Sequence, residues 1–110
     1  MKKTLKKLLS LKKNNIGISS ITAYDASFAK LADESDIDII LVGDSLGEVI
    51  KGMKNTHSVT VDDICYHTQN VSRGCKNAYL IADMPMNSFN TKKQALSNAL
   101  RMSKMVWRIW

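Results

Sequence analysis

The chain has 110 residues, 45% hydrophobic, 24% charged and 6% aromatic, a balance that excludes a disordered chain or a fibre and fits one small domain with a modest core. No apolar run approaches the ~20 residues of a membrane helix and the N-terminus lacks the apolar stretch of a secretory signal, so an intracellular, cytoplasmic protein with no membrane partner is expected. The net charge of +6 is concentrated in residues 1–15, which carry six lysines (Lys2, Lys3, Lys6, Lys7, Lys12 and Lys13) and no acid, while the rest of the chain balances; this reads as a solvated helix face and not as a nucleic-acid site.

Leu5, Leu8 and Leu9 recur at helical spacing among those lysines, which predicts an amphipathic helix over 3–13, ended by Asn14, Asn15 and Gly17. Residues 18–23 read as a short strand, and Asp25 as the cap of a helix running to Ser35 with Phe28, Ala29, Leu31 and Ala32 on its apolar face. Ile37–Val42 is nearly continuously apolar, the pattern of a buried parallel strand. The stretch from Gly43 to Val59 reads as a loop with a short strand at Glu48–Ile50. Thr60 and Asp63 form a capping box for a helix that carries Val61, Ile64, Cys65, Thr68 and Val71 and is closed by Gly74. Residues 78–82 make a third strand, broken by Asp83-Met84-Pro85. Thr91 and Gln94 form a second capping box, opening a helix to Lys104 with Ala95, Leu96, Ala99, Leu100 and Met102 as apolar positions. Strands alternating with helices predict an α/β fold with a parallel sheet.

Cys65 and Cys75 form no C-x-x-C pair and read as buried thiols, and His57 and His67 lack the spacing of a zinc site. Met53, Met84 and Met86 read as gap-fillers near the loops. The chemistry points to two acids: Asp44 follows the second strand and Asp83 the third. The C-terminal ends of parallel strands open on one face, and neighbouring strands lie ~4.8 Å apart, so the two carboxylates can share a hard cation such as Mg²⁺; each acid can also serve as a local turn cap. Tyr24 and Asp25 end the first strand on that face and read as a packing tyrosine and a helix cap. Gly43-Asp44-Ser45-Leu46 also spells the signature of GDSL esterases, in which Ser45 is a nucleophile; Asp63 and His67 lie on a mid-chain helix and not in the late Asp-x-x-His such enzymes carry.

Ile21-Thr-Ala-Tyr-Asp-Ala-Ser-Phe-Ala-Lys-Leu31, Leu41-Val-Gly-Asp-Ser-Leu-Gly47, Val59-Thr-Val-Asp-Asp-Ile-Cys-Tyr-His-Thr68 and Ala82-Asp-Met-Pro85 together resemble the ketopantoate hydroxymethyltransferase family across nearly all of residues 4–104. The resemblance implies a (β/α)₈ TIM barrel with an N-terminal helix closing its bottom, assembled as a homo-oligomer. It implies transfer of a hydroxymethyl group from 5,10-methylenetetrahydrofolate to 3-methyl-2-oxobutanoate, giving 2-dehydropantoate on the way to pantothenate and coenzyme A. By the same resemblance Asp44 and Asp83 match Mg²⁺ ligands, and Asp44, Ser45 and Asp83 match contacts to the keto acid. The family's substrate-binding lysine and metal-binding glutamate, on a fourth strand, and its glutamate general base have no counterpart; Arg108 is not assigned in their place, so no catalytic residue is expected within the chain.

A barrel takes roughly 250 residues. The chain is therefore expected to be the N-terminal part of one barrel domain, inactive alone: a basic helix over 1–16, three βα units over 17–104 and a divergent tail over 105–110. Ile39, Leu41 and Leu80 are candidates for the strands' inward faces. The alternatives are a serine esterase using Ser45, or a non-catalytic fragment that self-associates through its basic helix or open sheet edges.

Overall fold

A computed structural model of the chain describes residues 1–107. In order the elements are α1 (Leu5–Lys13), β1 (Ser20–Thr22), α2 (Ala26–Glu34), β2 (Ile39–Val42), α3 (Leu46–Val49), α4 (Val61–Gly74), β3 (Tyr79–Ala82) and α5 (Lys92–Trp107). The three strands form one parallel sheet in the order β1-β2-β3, with Ile21 opposite Ile40 and Ile40 opposite Leu80. This is a mixed α/β arrangement of successive βα units. Among the described residues no helix is long and apolar enough to cross a membrane.

The helix starts follow from local chemistry. The Lys7 amide donates to Thr4 Oγ1 (3.2 Å) and the Phe28 amide to Asp25 Oδ1 (2.8 Å). At α4 the capping box is complete: the Asp63 amide donates to Thr60 Oγ1 (3.1 Å) and the Thr60 amide to Asp63 Oδ2 (2.9 Å). At α5 the Gln94 amide donates to Thr91 Oγ1 (3.1 Å), but the Gln94 side chain accepts from the Asn90 amide (2.8 Å), one residue earlier than a capping box requires.

Ile40 and Val42 of β2 are fully buried, packed with Ala29, Val71, Cys75 and Ala78 beneath α2 and α4. A second cluster, Leu46, Val59, Ile64, Cys65 and Met102, joins α3, α4 and α5 at the other end of the sheet. Both cysteines are buried free thiols.

Several sequence expectations are corrected. Glu48–Ile50 lies in and just after the helical turn α3, where the Val49 amide donates to the Ser45 carbonyl (3.0 Å) and Ile50 to Leu46 (2.9 Å). The β-branched pair suggested a strand, yet among the described residues no strand lies beside it, and burial of Leu46 draws the segment into a turn. Only Leu8 of the α1 leucines is buried; Leu5 and Leu9 stay 56% and 58% exposed. Phe28, Leu31, Leu96 and Leu100 are exposed too, because they lie on the outer flanks of α2 and α5 while α4 packs between the two helices. Met53 and Met86 are exposed, and only Met84 fills a gap against the second cluster. Leu80 pairs with Ile40 and packs on the helix side, so it does not share the face of Ile39 and Leu41.

Gly74 is the last residue of α4 and does not close it in a left-handed turn, since the Cys75 cap is extended (φ −97°). Its role is proximity: a Cβ there would meet the α2 backbone at Ala26 and Lys30. α5 runs past Lys104 to Trp107; Arg108 and the rest of the expected tail lie outside the described residues.

Candidate active site

The strand polarity separates two sets of acids. At the N-terminal ends of the strands the carboxylates are fully engaged. Asp33, 7% exposed, accepts from the amides of Asn77 (2.9 Å) and Ala78 (2.7 Å) and from Asn77 Nδ2 (3.2 Å). Burial opposes its charge, but these donors prevail and hold the carboxyl below its ordinary value. Asp38 accepts from the Ser19 amide (2.9 Å) and faces Lys3 Nζ (3.1 Å). The Ser19 amide, ahead of the Lys3 ammonium, holds the Asp38 carboxyl low. Lys3 Nζ also donates to the carbonyls of Asp36 (2.8 Å) and Ile37 (2.9 Å), and the Lys3 amide to the Asn77 carbonyl (2.6 Å). The segment leading into α1 is thereby strapped across this end.

At the C-terminal ends of β2 and β3 the acids are uncommitted among the described residues. Asp44 and Ser45 follow β2, and Asp83 follows β3. The Asp83 amide donates to the Val42 carbonyl (2.9 Å), which extends the ladder one residue and sets Asp83 beside the end of β2. Gly43 lets it come close: a Cβ on Gly43 would stand 3.1 Å from Asp83 Oδ2. The Asp83 carboxylate therefore lies against the residue immediately before Asp44. Asp44 sits in the turn into α3, where the Gly47 amide donates to its carbonyl (2.9 Å). Buried Leu46 and Gly47 anchor that turn, and a Cβ on Gly47 would lie 2.8 Å from Val59 Cγ2.

Neither the Asp44 nor the Asp83 carboxylate has a hydrogen-bond or ion-pair partner among the described residues. No group of three or more His, Cys, Asp or Glu is gathered there for a metal among those residues. Two carboxylates with uncommitted oxygens on adjacent strand ends nonetheless fit Mg²⁺, a hard cation that keeps several waters and takes one or two protein carboxylates. A zinc or thiolate centre does not fit this donor set.

Ser45 Oγ lies 2.6 Å from the Tyr24 hydroxyl, and the Tyr24 carbonyl accepts from His67 Nδ1 (2.8 Å). Tyr24 was visible in the sequence only as a packing residue at the end of β1. Nothing in the linear pattern linked it to Ser45 or to His67, which are 21 and 43 positions away. Asp25 is the helix cap it was expected to be. The esterase arrangement does not assemble. Ser45 meets a phenol and not an imidazole, His67 is turned onto the Tyr24 carbonyl, and Asp63 is engaged by the Thr60 amide and by Lys51 Nζ (2.6 Å).

The sequence pattern that defines the ketopantoate hydroxymethyltransferase family matches residues 2–107. The chain belongs to this family. Among curated relatives, the 3-methyl-2-oxobutanoate hydroxymethyltransferase of Idiomarina loihiensis is 53% identical over 94 residues, covering 86% of this chain and 35% of that protein. The proteins of the same name from Colwellia psychrerythraea and Clostridium botulinum are 51% and 50% identical, covering 87% and 94% of this chain and 36% and 38% of theirs. The chain thus spans less than two fifths of the length of these family members.

Proposed function

We propose that the chain supplies the metal- and keto-acid-binding part of a hydroxymethyltransferase that moves a one-carbon unit from 5,10-methylenetetrahydrofolate to 3-methyl-2-oxobutanoate, giving 2-dehydropantoate. The observation that carries this reading is the pair of unpartnered carboxylates, Asp44 and Asp83, at neighbouring strand ends with Ser45 beside them, in a chain of this family. Asp44 and Asp83 hold Mg²⁺ and, with Ser45, face the keto acid. When bound, Mg²⁺ supplies a Lewis acid that polarises the keto carbonyl and eases loss of the adjacent C3 proton. Asp44 and Asp83 contribute the negative charge that retains the cation, and Ser45 contributes a neutral donor for an anionic substrate oxygen. Carbon 3, once deprotonated, forms the new bond to the one-carbon unit as that unit's carbon–nitrogen bonds to the folate break, with water supplying the hydroxyl oxygen and tetrahydrofolate leaving; neither the base nor the folate contacts are assigned to this chain.

The parallel order β1-β2-β3, with α4 between α2 and α5, supports three βα units over 17–104 as one flank of a (β/α)₈ barrel. The Lys3 strap supports a place for α1 at the barrel's bottom. Homo-oligomeric assembly and a cytoplasmic location belong to the same reading and rest on the family. The test is a fusion in which residues 1–107 are continued by the remaining length of the Clostridium botulinum relative. Asp44→Asn or Asp83→Asn is expected to lower Mg²⁺-dependent formation of 2-dehydropantoate by at least about 10-fold at limiting Mg²⁺. Full activity of both variants under those conditions refutes the assignment.

A further inference from the structure

We propose that Tyr24 is a positioning residue for Ser45. Its phenol donates to Ser45 Oγ and so frees the serine proton to point at an anionic oxygen of the bound keto acid. The inference rests on the reading of Ser45 as a substrate contact.

The oxygen separation of 2.6 Å lies at the short end for O–H···O bonds, and both side chains are half-buried. A serine hydroxyl has one proton and two acceptor sites. If Ser45 donated to Tyr24, that proton would be consumed inside the protein and only lone pairs would face an anion. If Tyr24 donates, the Ser45 proton is available outward, and the two bonds in series polarise one another. A carboxylate can only accept, so binding it selects the second direction. Ser45 has no competing local use, since its side chain makes no cap bond to α3.

Tyr24 is itself held from two sides. Its carbonyl can only accept, so the His67 Nδ1 at 2.8 Å must carry a proton, which ties the end of β1 to α4. Its side chain also packs against the cluster of Leu46, Val59, Ile64, Cys65 and Met102. The phenol is therefore placed by β1 and α4, while the serine is placed by the turn after β2. Fixing the hydroxyl before substrate arrives lowers the ordering cost of binding. Because the contact serves the substrate and the transition state alike, its loss falls on KM and leaves kcat unchanged.

The test is a double-mutant cycle of Tyr24→Phe and Ser45→Ala in the fusion described above, with KM for 3-methyl-2-oxobutanoate, kcat and melting temperature as readouts. Tyr24→Phe is expected to raise KM about 3- to 10-fold, with kcat within about twofold and the melting temperature unmoved. In the Ser45→Ala background the same change is expected to have no further effect. An equal effect of Tyr24→Phe in both backgrounds, or no effect where Ser45→Ala alone raises KM, overturns the positioning role and leaves the site reading intact. A Ser45→Ala variant with unchanged KM overturns the substrate role of Ser45 and the proposal with it. If the fusion does not turn over, the same cycle is read as the Kd of 3-methyl-2-oxobutanoate for the 110-residue chain in MgCl2. Absence of binding there as well overturns both.

Discussion

Replacing Gly74 by alanine tests the packing that sets α2 against α4. A Cβ at this position would stand 2.9 Å from the Lys30 amide nitrogen and 3.1 Å from the Ala26 carbonyl carbon, and closer still to the Ala26 oxygen. Carbon contacts are optimal at about 3.5–4.0 Å, so the methyl enters roughly 1 Å too far. The obstacle is backbone, which has no rotamer to change; the two helices must part. Parting them loosens Ala29 and Val71, both fully buried in the first core cluster. Overpacking of this kind costs about 1–3 kcal/mol, and a backbone clash belongs near the top of that range. Alanine returns up to about 1 kcal/mol of helix propensity, less at a helix end. The expected net loss is therefore about 2 kcal/mol, a roughly 30-fold rise in the unfolded-to-folded ratio. With a urea m-value of about 2 kcal/mol/M, the midpoint should fall by about 1 M. The assay is urea unfolding of the 110-residue chain followed by circular dichroism, with Gly17→Ala as control because nothing lies within 4 Å of a Cβ there. A Gly74→Ala midpoint equal to or above that of the unmodified chain refutes the reasoning.

Asp33→Ala removes three hydrogen bonds to a buried carboxylate and is expected to lower stability by about 2–3 kcal/mol, read by the same unfolding curve. Asp33 and Asp38 have depressed folded pKa values, so their contribution is present above the ordinary value of 3.8 and is lost as pH falls through the folded values. The urea midpoint should therefore drop below about pH 4, and a midpoint flat from about pH 5 to pH 3 contradicts this. Burial, reinforced by the Asp33 charge, pushes the Cys75 thiol up to about 11. Iodoacetamide at about pH 8 should leave Cys75 unmodified in the folded chain and label it in urea, as mass spectrometry would show. Gly43→Ala should leave stability within about 0.5 kcal/mol, because Asp83 is exposed and can move, while displacing its carboxylate and weakening Mg²⁺ activation of the fusion. Unchanged Mg²⁺ dependence would separate Gly43 from the site.

The features legible in the amino-acid sequence are local or periodic. Asp25, Thr60 with Asp63, and Thr91 act within three residues of where they sit, so the starts of α2, α4 and α5 were legible from a few letters. The apolar run into Val42 and the alternation of strands with helices were enough for a parallel α/β arrangement, and in such an arrangement Asp44 and Asp83, each following a strand, fall on one face. Tertiary structure alone decided the rest, because those contacts join residues far apart in the chain. Gly74 looked like a helix stop but is needed where two backbones approach, and Glu48–Ile50 looked like a strand but had no sheet beside it. Leu5 and Leu9 had the spacing of a buried stripe, yet only Leu8 found a surface to cover. The link from His67 through Tyr24 to Ser45 crosses three elements and has no periodic signature, so only the packing of α4 and the two strand ends could create it.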